Sequence, residues 1–350
     1  MELLWSRPET GVYNPVHDHY VALNMQRLFL ENHRESYRKF WGEGEKTFTD
    51  HSFIWVSKDL RDWKWQQVKY EEGADISEDD WAREGYVNFN EAYAGCNIEA
   101  LENGDIMFPV AANVAKCCRI LGVNVNDVFP SCPRIMHGLI VFRGSWNKAG
   151  EKYDFAPSKP VVISDLKSSR GVDEPTIIVL KSRRIVVVFR GFNVISKNWN
   201  TRIRMGTPPH KWFTFSDDGG RTFSEPVPWR YENGEVFYSP ASISRFFRSV
   251  VNGKAYWFGN ITGPEAYGYS PRYPLVMAEV DEEKGFLKKE TYTLVEDRDP
   301  ETESEELQLS NFSLLEDRET GSIELYLTKL GAYREDRWRG DAYRYTIEVG

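Results

Sequence analysis

Cysteine and histidine are scarce in this sequence, four and six respectively among 350 residues. Cys96, Cys117, Cys118 and Cys132 form no CxxC pair and have no histidine at zinc-ligand spacing. That excludes a zinc site of the usual kind and leaves buried or idle thiols. Positive charge is also in deficit: 44 Lys and Arg stand against 53 Asp and Glu, a net charge of −9. A protein that tracks a phosphate backbone needs a basic face, so nucleic acid is not an expected partner. No apolar run is long enough to span a bilayer, and no membrane partner is expected. No basic segment followed by an apolar run opens the chain, so the expected setting is cytoplasmic, or secreted if a leader has been removed. Glycine-rich nucleotide loops and sustained helical periodicity are both missing. No redox, nucleotide or metal cofactor is expected.

Aromatic residues, by contrast, are plentiful: 12 Trp, 18 Tyr and 20 Phe make 14% of the chain. Such rings fill sheet cores and also offer platforms for sugar rings. The apolar pattern is β-rich. "EPTIIVLKSRRIVVVFRGF" gives two strands, near 174–180 and 184–190, joined by a charged turn. Similar hairpins turn at Asn103-Gly104, Asn252-Gly253 and Thr320-Gly321. Each is followed by a further strand pair, as in "KWFTFS…RTFSEPVPW". The repeating unit is therefore four antiparallel strands, which predicts an all-β propeller. Five blades are expected, over about 17–71, 92–164, 172–232, 237–298 and from near 305 to Gly350, in a single domain, 1–350. A sixth blade within residues 1–90 is the alternative count. The fifth unit lacks an outer strand, and "MELLWS" at the N-terminus is expected to supply it and close the ring.

"SDDGGRTF" has the pattern Ser-x-Asp-x-Gly-x-Thr-aromatic, with Ser216, Asp218, Gly220, Thr222 and Phe223. The acid accepts bonds from backbone N–H groups and the glycine tolerates a tight corner. This is the pattern of the Asp-box or BNR repeat, which joins the third and fourth strands of a blade. "SKDLRDW" (57–63) is a shortened copy, and "VDEEKGF" (280–286) keeps only the acid and glycine at the equivalent point of the fourth unit.

On these residues, and on "EPTIIVL…RRIVVVFRG" and "YSPASISRF", the chain resembles the sialidase superfamily of BNR-repeat propellers. The Arg-Ile-Pro motif that opens the first inner strand of sialidases is absent from this sequence. The resemblance implies a sialidase-like propeller acting on an oligosaccharide or glycan, with a pocket on the axis where the innermost strands begin. It implies an exo-acting glycoside hydrolase on an acidic sugar, with two rivals: a uronate-directed polysaccharide lyase, and a non-catalytic glycan-binding propeller.

The inner-strand starts nominate the site residues. Asp173 and Glu174 precede Pro175 and an apolar strand, and a buried carboxylate there serves as general acid or base. Only one of two adjacent strand residues is expected to face the axis, and Glu174 is the choice. "HDHY" supplies His17, Asp18 and His19, with His19 or His17 as a proton carrier near neutral pH. His137 and His210 are lesser candidates. The resemblance makes Tyr238 a nucleophile activated by Glu174. Arg190, Arg204 and Arg272 offer planar forks for a carboxylate. Asn97 and Asn311 bond sugar hydroxyls or cap strand ends.

Overall fold

The computed structural model describes residues 2–5, 10–43, 45–77, 80, 82–130, 137–198, 201–204 and 206–350. Of residues 2–5, 10, 41–43, 195–198 and 201–204 it describes the backbone alone. Five antiparallel sheets follow one another along the chain and form a five-bladed propeller.

Sheet one contains β1 (Glu2–Trp5), β2 (Thr10–Asn14), β3 (His19–Phe29), β4 (Phe48–Ser57) and β5 (Lys64–Gln67). Its innermost position is shared: β2 pairs with the first half of β3 and β1 with the second. Sheet two repeats the plan, with β6 (Ala92–Ala94) and β7 (Glu99–Ala100) beside β8 (Ile106–Asn113), then β9 (His137–Asn147) and β10 (Lys152–Pro157). Sheet three runs β11 (Asp173–Val179), β12 (Ile185–Arg190), β15 (Lys211–Ser216) and β16 (Val227–Pro228). The separate hairpin β13 (Val194–Asn198) and β14 (Thr201–Arg204) rises between its middle strands. Sheet four is β17 (Arg245–Arg248), β18 (Ala255–Asn260), β19 (Leu275–Glu279) and β20 (Thr293–Glu296). Sheet five is β21 (Ser313–Glu316), β22 (Ile323–Thr328) and β23 (Ala342–Ile347). Helices stand in connections: α1 (His33–Glu43), α2 (Glu84–Val87), α3 (Val114–Leu121) and α4 (Val125–Val128). Helix α1 lies against β13.

A blade inside the ring is covered on both faces, so its middle strands are apolar throughout instead of alternating. All six residues of "IVVVFR" in β12 and of "AYWFGN" in β18 are buried. Apolar clusters join sheets one and two, two and three, three and four, and four and five. The expected hairpin turns at Gly104, Gly253 and Gly321 all carry positive φ, +85°, +66° and +75°.

Two expectations about the ring fail. The N-terminal strand does not complete the fifth blade: Glu2–Trp5 pair with Gln26–Phe29 of β3, in sheet one. Sheet five keeps three strands, and its face away from sheet four is open, with Leu315 57% and Tyr326 44% exposed. Among the described residues no apolar cluster joins sheet five to sheet one; the Arg318 guanidinium lies 5.8 Å from the Tyr13 ring there. The first blade also begins earlier than expected, at β1 and β2, so that residues 15–18 form an internal turn.

Candidate active site

Sheet three builds one wall of the axial hollow. At its start the register of β11 shifts between Asp173 and Thr176, and Glu174 takes a left-handed φ of +44°. A bulge turns two consecutive side chains the same way. Asp173 and Glu174 therefore both line the cavity, correcting the expectation that only one faces the axis. The cavity, about 190 Å³, is also lined by Arg170 and Arg190, by Arg27, Phe48 and Asp50 of sheet one, and by Tyr93, Asn113 and His137 of sheet two. Phe40, Lys46 and Glu91 complete the lining.

Arg190 donates to Asp173 Oδ2 through Nη2 at 2.9 Å and Nε at 3.2 Å. Its Nη1 lies 2.9 Å from Glu174 Oε2, off the line of a hydrogen bond, and that buried oxygen has no hydrogen-bond partner. The pair is driven apart electrically. Burial raises the Glu174 carboxyl above its ordinary value, and the neighbouring Asp173 charge adds to this against the pull of Arg190. Burial also opposes ionisation of Asp173, but Arg190, His137 and Arg170 outweigh it and hold that carboxyl low. The two carboxyls are thus pushed in opposite directions, Glu174 up and Asp173 down.

Across the hollow, Arg27 grips Asp50 through two bonds, Nε–Oδ1 at 2.6 Å and Nη2–Oδ2 at 2.7 Å. Its guanidinium lies 4.2 Å from the Phe48 ring centroid and donates to the Tyr37 hydroxyl at 2.9 Å. Lys46 pairs with Glu91 at 2.8 Å. His137 stacks on Tyr93 with centroids 6.5 Å apart. Beside the cavity, Tyr269 is the meeting point of three guanidinium groups: Arg272 at 4.8 Å, Arg170 at 5.3 Å and Arg190 at 5.7 Å from its ring centroid. Arg272 rests on neutral acceptors, Gln308 Oε1 at 2.8 Å and the Ala241 carbonyl at 2.8 Å, and burial pushes it down to about 10.

The structure thus brings Glu174 and Arg190 together in the cavity lining, with Arg272 outside it but bonded to the same Ala241 carbonyl as Arg190. It does not bring His17, Asp18 or His19 there. They sit at the β2–β3 turn, whereas Arg27 lies near the far end of β3, roughly 26 Å away at the rise of a strand. There Asp18 accepts from the Tyr13 hydroxyl at 2.7 Å, and His19 Nε2 bonds the Tyr153 hydroxyl at 2.7 Å. Burial, with help from His17 and Lys58, pushes His19 down to about 4, so it stays neutral near pH 7. His17 stacks on His19 at 5.7 Å. Tyr238 is half-buried and stacks on His210 at 5.6 Å, outside the cavity lining. Asn97 is consumed by the fold: its amide donates to the Ile177 carbonyl at 2.7 Å and accepts from Ile177 N–H at 2.8 Å. Asn311 is exposed in a left-handed turn conformation, φ +60°. The side chain of Arg204 and the whole of Cys132 lie outside the described residues; Cys96, Cys117 and Cys118 are buried free thiols.

Sequence reasoning missed Arg27, Asp50, Arg170 and Tyr269. Arg27 and Asp50 stand in strands that also carry Asn24, Gln26, Thr49, His51 and Ser52, so no break in an apolar run marks them. Arg170 and Tyr269 lie in connections, where no periodicity marks them.

No family model and no curated protein sequence matches this chain. Among solved structures, it is similar to the Hadza microbial sialidase Hz136, with a TM-score of 0.51 and 10% identity over 97% of this chain and 52% of that one. It is also similar to the NanB sialidase of Streptococcus pneumoniae, with a TM-score of 0.50 and 12% identity over 87% of this chain and 37% of that one. The chain spans about half or less of these two sialidases. The likeness is one of fold, and the fold is that of a sialidase-like propeller.

Proposed function

We propose that the protein is a carbohydrate-active enzyme, an exo-acting glycoside hydrolase on a glycan that ends in an acidic sugar. The observation that carries this reading is Glu174, a carboxyl on the wall of an axial cavity with one buried oxygen that accepts no hydrogen bond. A proton-holding carboxyl of this kind delivers its proton to the departing glycosidic oxygen. Asp173, kept ionised by Arg190, offsets the positive charge that develops at the anomeric carbon. Arg27 and Arg190 pair with carboxylates, and Arg170 stands 4.0 Å from Asp173, whereas Arg272 rests on neutral acceptors, so the substrate's anionic group falls to Arg272 beside Tyr269. A cavity of about 190 Å³ suits one terminal ring better than the interior of a polymer.

The turn at Ser216–Phe223 supports the BNR reading of the fold. Asp218 Oδ1 accepts from the N–H groups of Arg221 and Thr222, each at 3.0 Å, and Oδ2 from the Thr222 hydroxyl at 2.7 Å. The turn after β4 repeats it, with Asp59 accepting from Arg61 and Asp62 N–H at 2.9 Å.

One observation favours a lyase as the second reading: His137 and Tyr93 stack in the same cavity as Arg170, a base and a cation for proton abstraction next to a carboxylate. A panel of short glycans with acidic and neutral non-reducing ends tests both. Hydrolysis releases a saturated sugar; a lyase product absorbs in the ultraviolet. Binding without turnover, unchanged in Glu174→Gln, would leave a glycan-binding propeller.

A further inference from the structure

Asp173, Arg190 and Lys211 stand in one row across the mouth end of sheet three, Arg190 directly opposite Asp173 on one side and Lys211 on the other. Residues so paired project from the same face of a sheet, and like charges placed opposite one another destabilise it. Lys211 is 1% exposed, and its partners are neutral: the Ser242 carbonyl and, at 3.5 Å, the Pro240 carbonyl. The carbonyl between them, Ala241, takes Arg190 at 3.4 Å and Arg272 at 2.8 Å. Three cations thus converge on three consecutive carbonyls of the segment leading into sheet four. A buried ammonium without a carboxylate is expensive, and an apolar side chain of equal length fills the same space without that penalty. Packing does not explain a lysine at this position.

We propose that Lys211 is a positioning residue for the axial acid: its ammonium steadies the 240–242 carbonyls that also hold Arg190 and Arg272, and so fixes the guanidinium that stands against Asp173 and Glu174. The inference rests on reading Glu174 as the acid. The groups that act on Lys211 are Arg190 of β12, Glu174 of β11, Cys96 ahead of β7, and Arg272 of the β18–β19 connection. Arg245 of β17 acts on the same cluster through Cys96. Burial, then Arg190, push the Lys211 amine down to about 7, with Glu174 and Cys96 working the other way. Lys211 in turn is among the charges that lower Glu174. Removing the ammonium therefore leaves Glu174 protonated to a higher pH.

The test needs no substrate. The carbonyl stretch of the protonated Glu174 carboxyl, assigned by its loss in Glu174→Gln, is titrated by infrared difference spectroscopy in the full chain. Lys211→Met removes the charge at nearly constant length, with Lys211→Gln in reserve if methionine is not tolerated. Lys211→Arg keeps the charge. The expected result is a midpoint moved to higher pH in the neutral variant and returned toward wild type by arginine. An unshifted midpoint in a folded neutral variant overturns the proposal. Where turnover is found, the basic limb of the kcat/KM profile moves to higher pH with it. A shifted midpoint without turnover on any glycoside keeps the role of Lys211 and discards the hydrolase reading. Turnover that depends on Glu174, with an unshifted midpoint, discards the role of Lys211 alone.

Discussion

Arg190 lies 2.9 Å from both Asp173 Oδ2 and Glu174 Oε2 yet hydrogen-bonds only the aspartate. This unequal grip pushes two neighbouring carboxyls in opposite directions, Asp173 down and Glu174 up, and it accompanies the strained turn at Glu174, φ +44°. The division has a consequence for pH. The Asp173 charge helps to raise Glu174, so Asp173→Asn lets Glu174 ionise at lower pH. The basic limb of the pH–activity profile is expected to move down in this variant, opposite in sense to Lys211→Met.

Arg27 and Asp50 form a doubly bonded pair with side chains 15% and 7% exposed. Removing one partner strands the other inside the fold. Asp50→Leu is expected to destabilise the protein by about 3–5 kcal/mol, read as a lower urea midpoint at unchanged slope. Replacing both residues with apolar ones recovers much of that loss.

Asn97 ties sheet two to sheet three through both hydrogen bonds to Ile177 and a third from the Thr176 hydroxyl at 3.0 Å. Asn97→Ala leaves buried backbone groups unpaired and is expected to cost about 1–3 kcal/mol in stability. Thermal unfolding measures this, and KM for any substrate stays unchanged because the amide does not reach the cavity lining.

These outcomes separate what the sequence carries from what it does not. The blade repeat was legible because the middle strands are covered on both faces and read as unbroken apolar runs, closed by glycine turns such as Asn252-Gly253. Glu174 and Arg190 were legible because they bracket the hairpin of sheet three at its mouth end. His17–His19 were misplaced because the first inner position is split between two short strands, of which "TGVYN" shows little alternation. Tyr269 and Arg170 depend on how long connections fold back over the axis, which no local pattern encodes. Lys211 reads in sequence as the polar start of "KWFTFS", and only the cross-strand register reveals its burial beside Arg190.

At the opposite end of the molecule, Asp218 is held well below the usual carboxylate range by the Thr222 N–H and hydroxyl and by the Ser216 hydroxyl. A carboxyl depressed on folding stabilises the protein above its unfolded value, and that contribution is lost as pH falls through the folded one. The difference in Tm between wild type and Asp218→Ala is therefore expected to hold steady near neutral pH and to narrow below about pH 4. Activity is expected to be unaltered, since the turn lies away from the cavity.

The most direct measurement compares kcat/KM of wild type, Glu174→Gln, Asp18→Asn and His17→Ala on aryl glycosides of acidic sugars with good and poor leaving groups. Loss of the acid is expected to slow the poor leaving group by about 100-fold or more and the good one much less, with the other two variants at wild-type rates. Full turnover of the poor leaving group by Glu174→Gln, or its abolition by Asp18→Asn, would contradict an axial site built around Glu174.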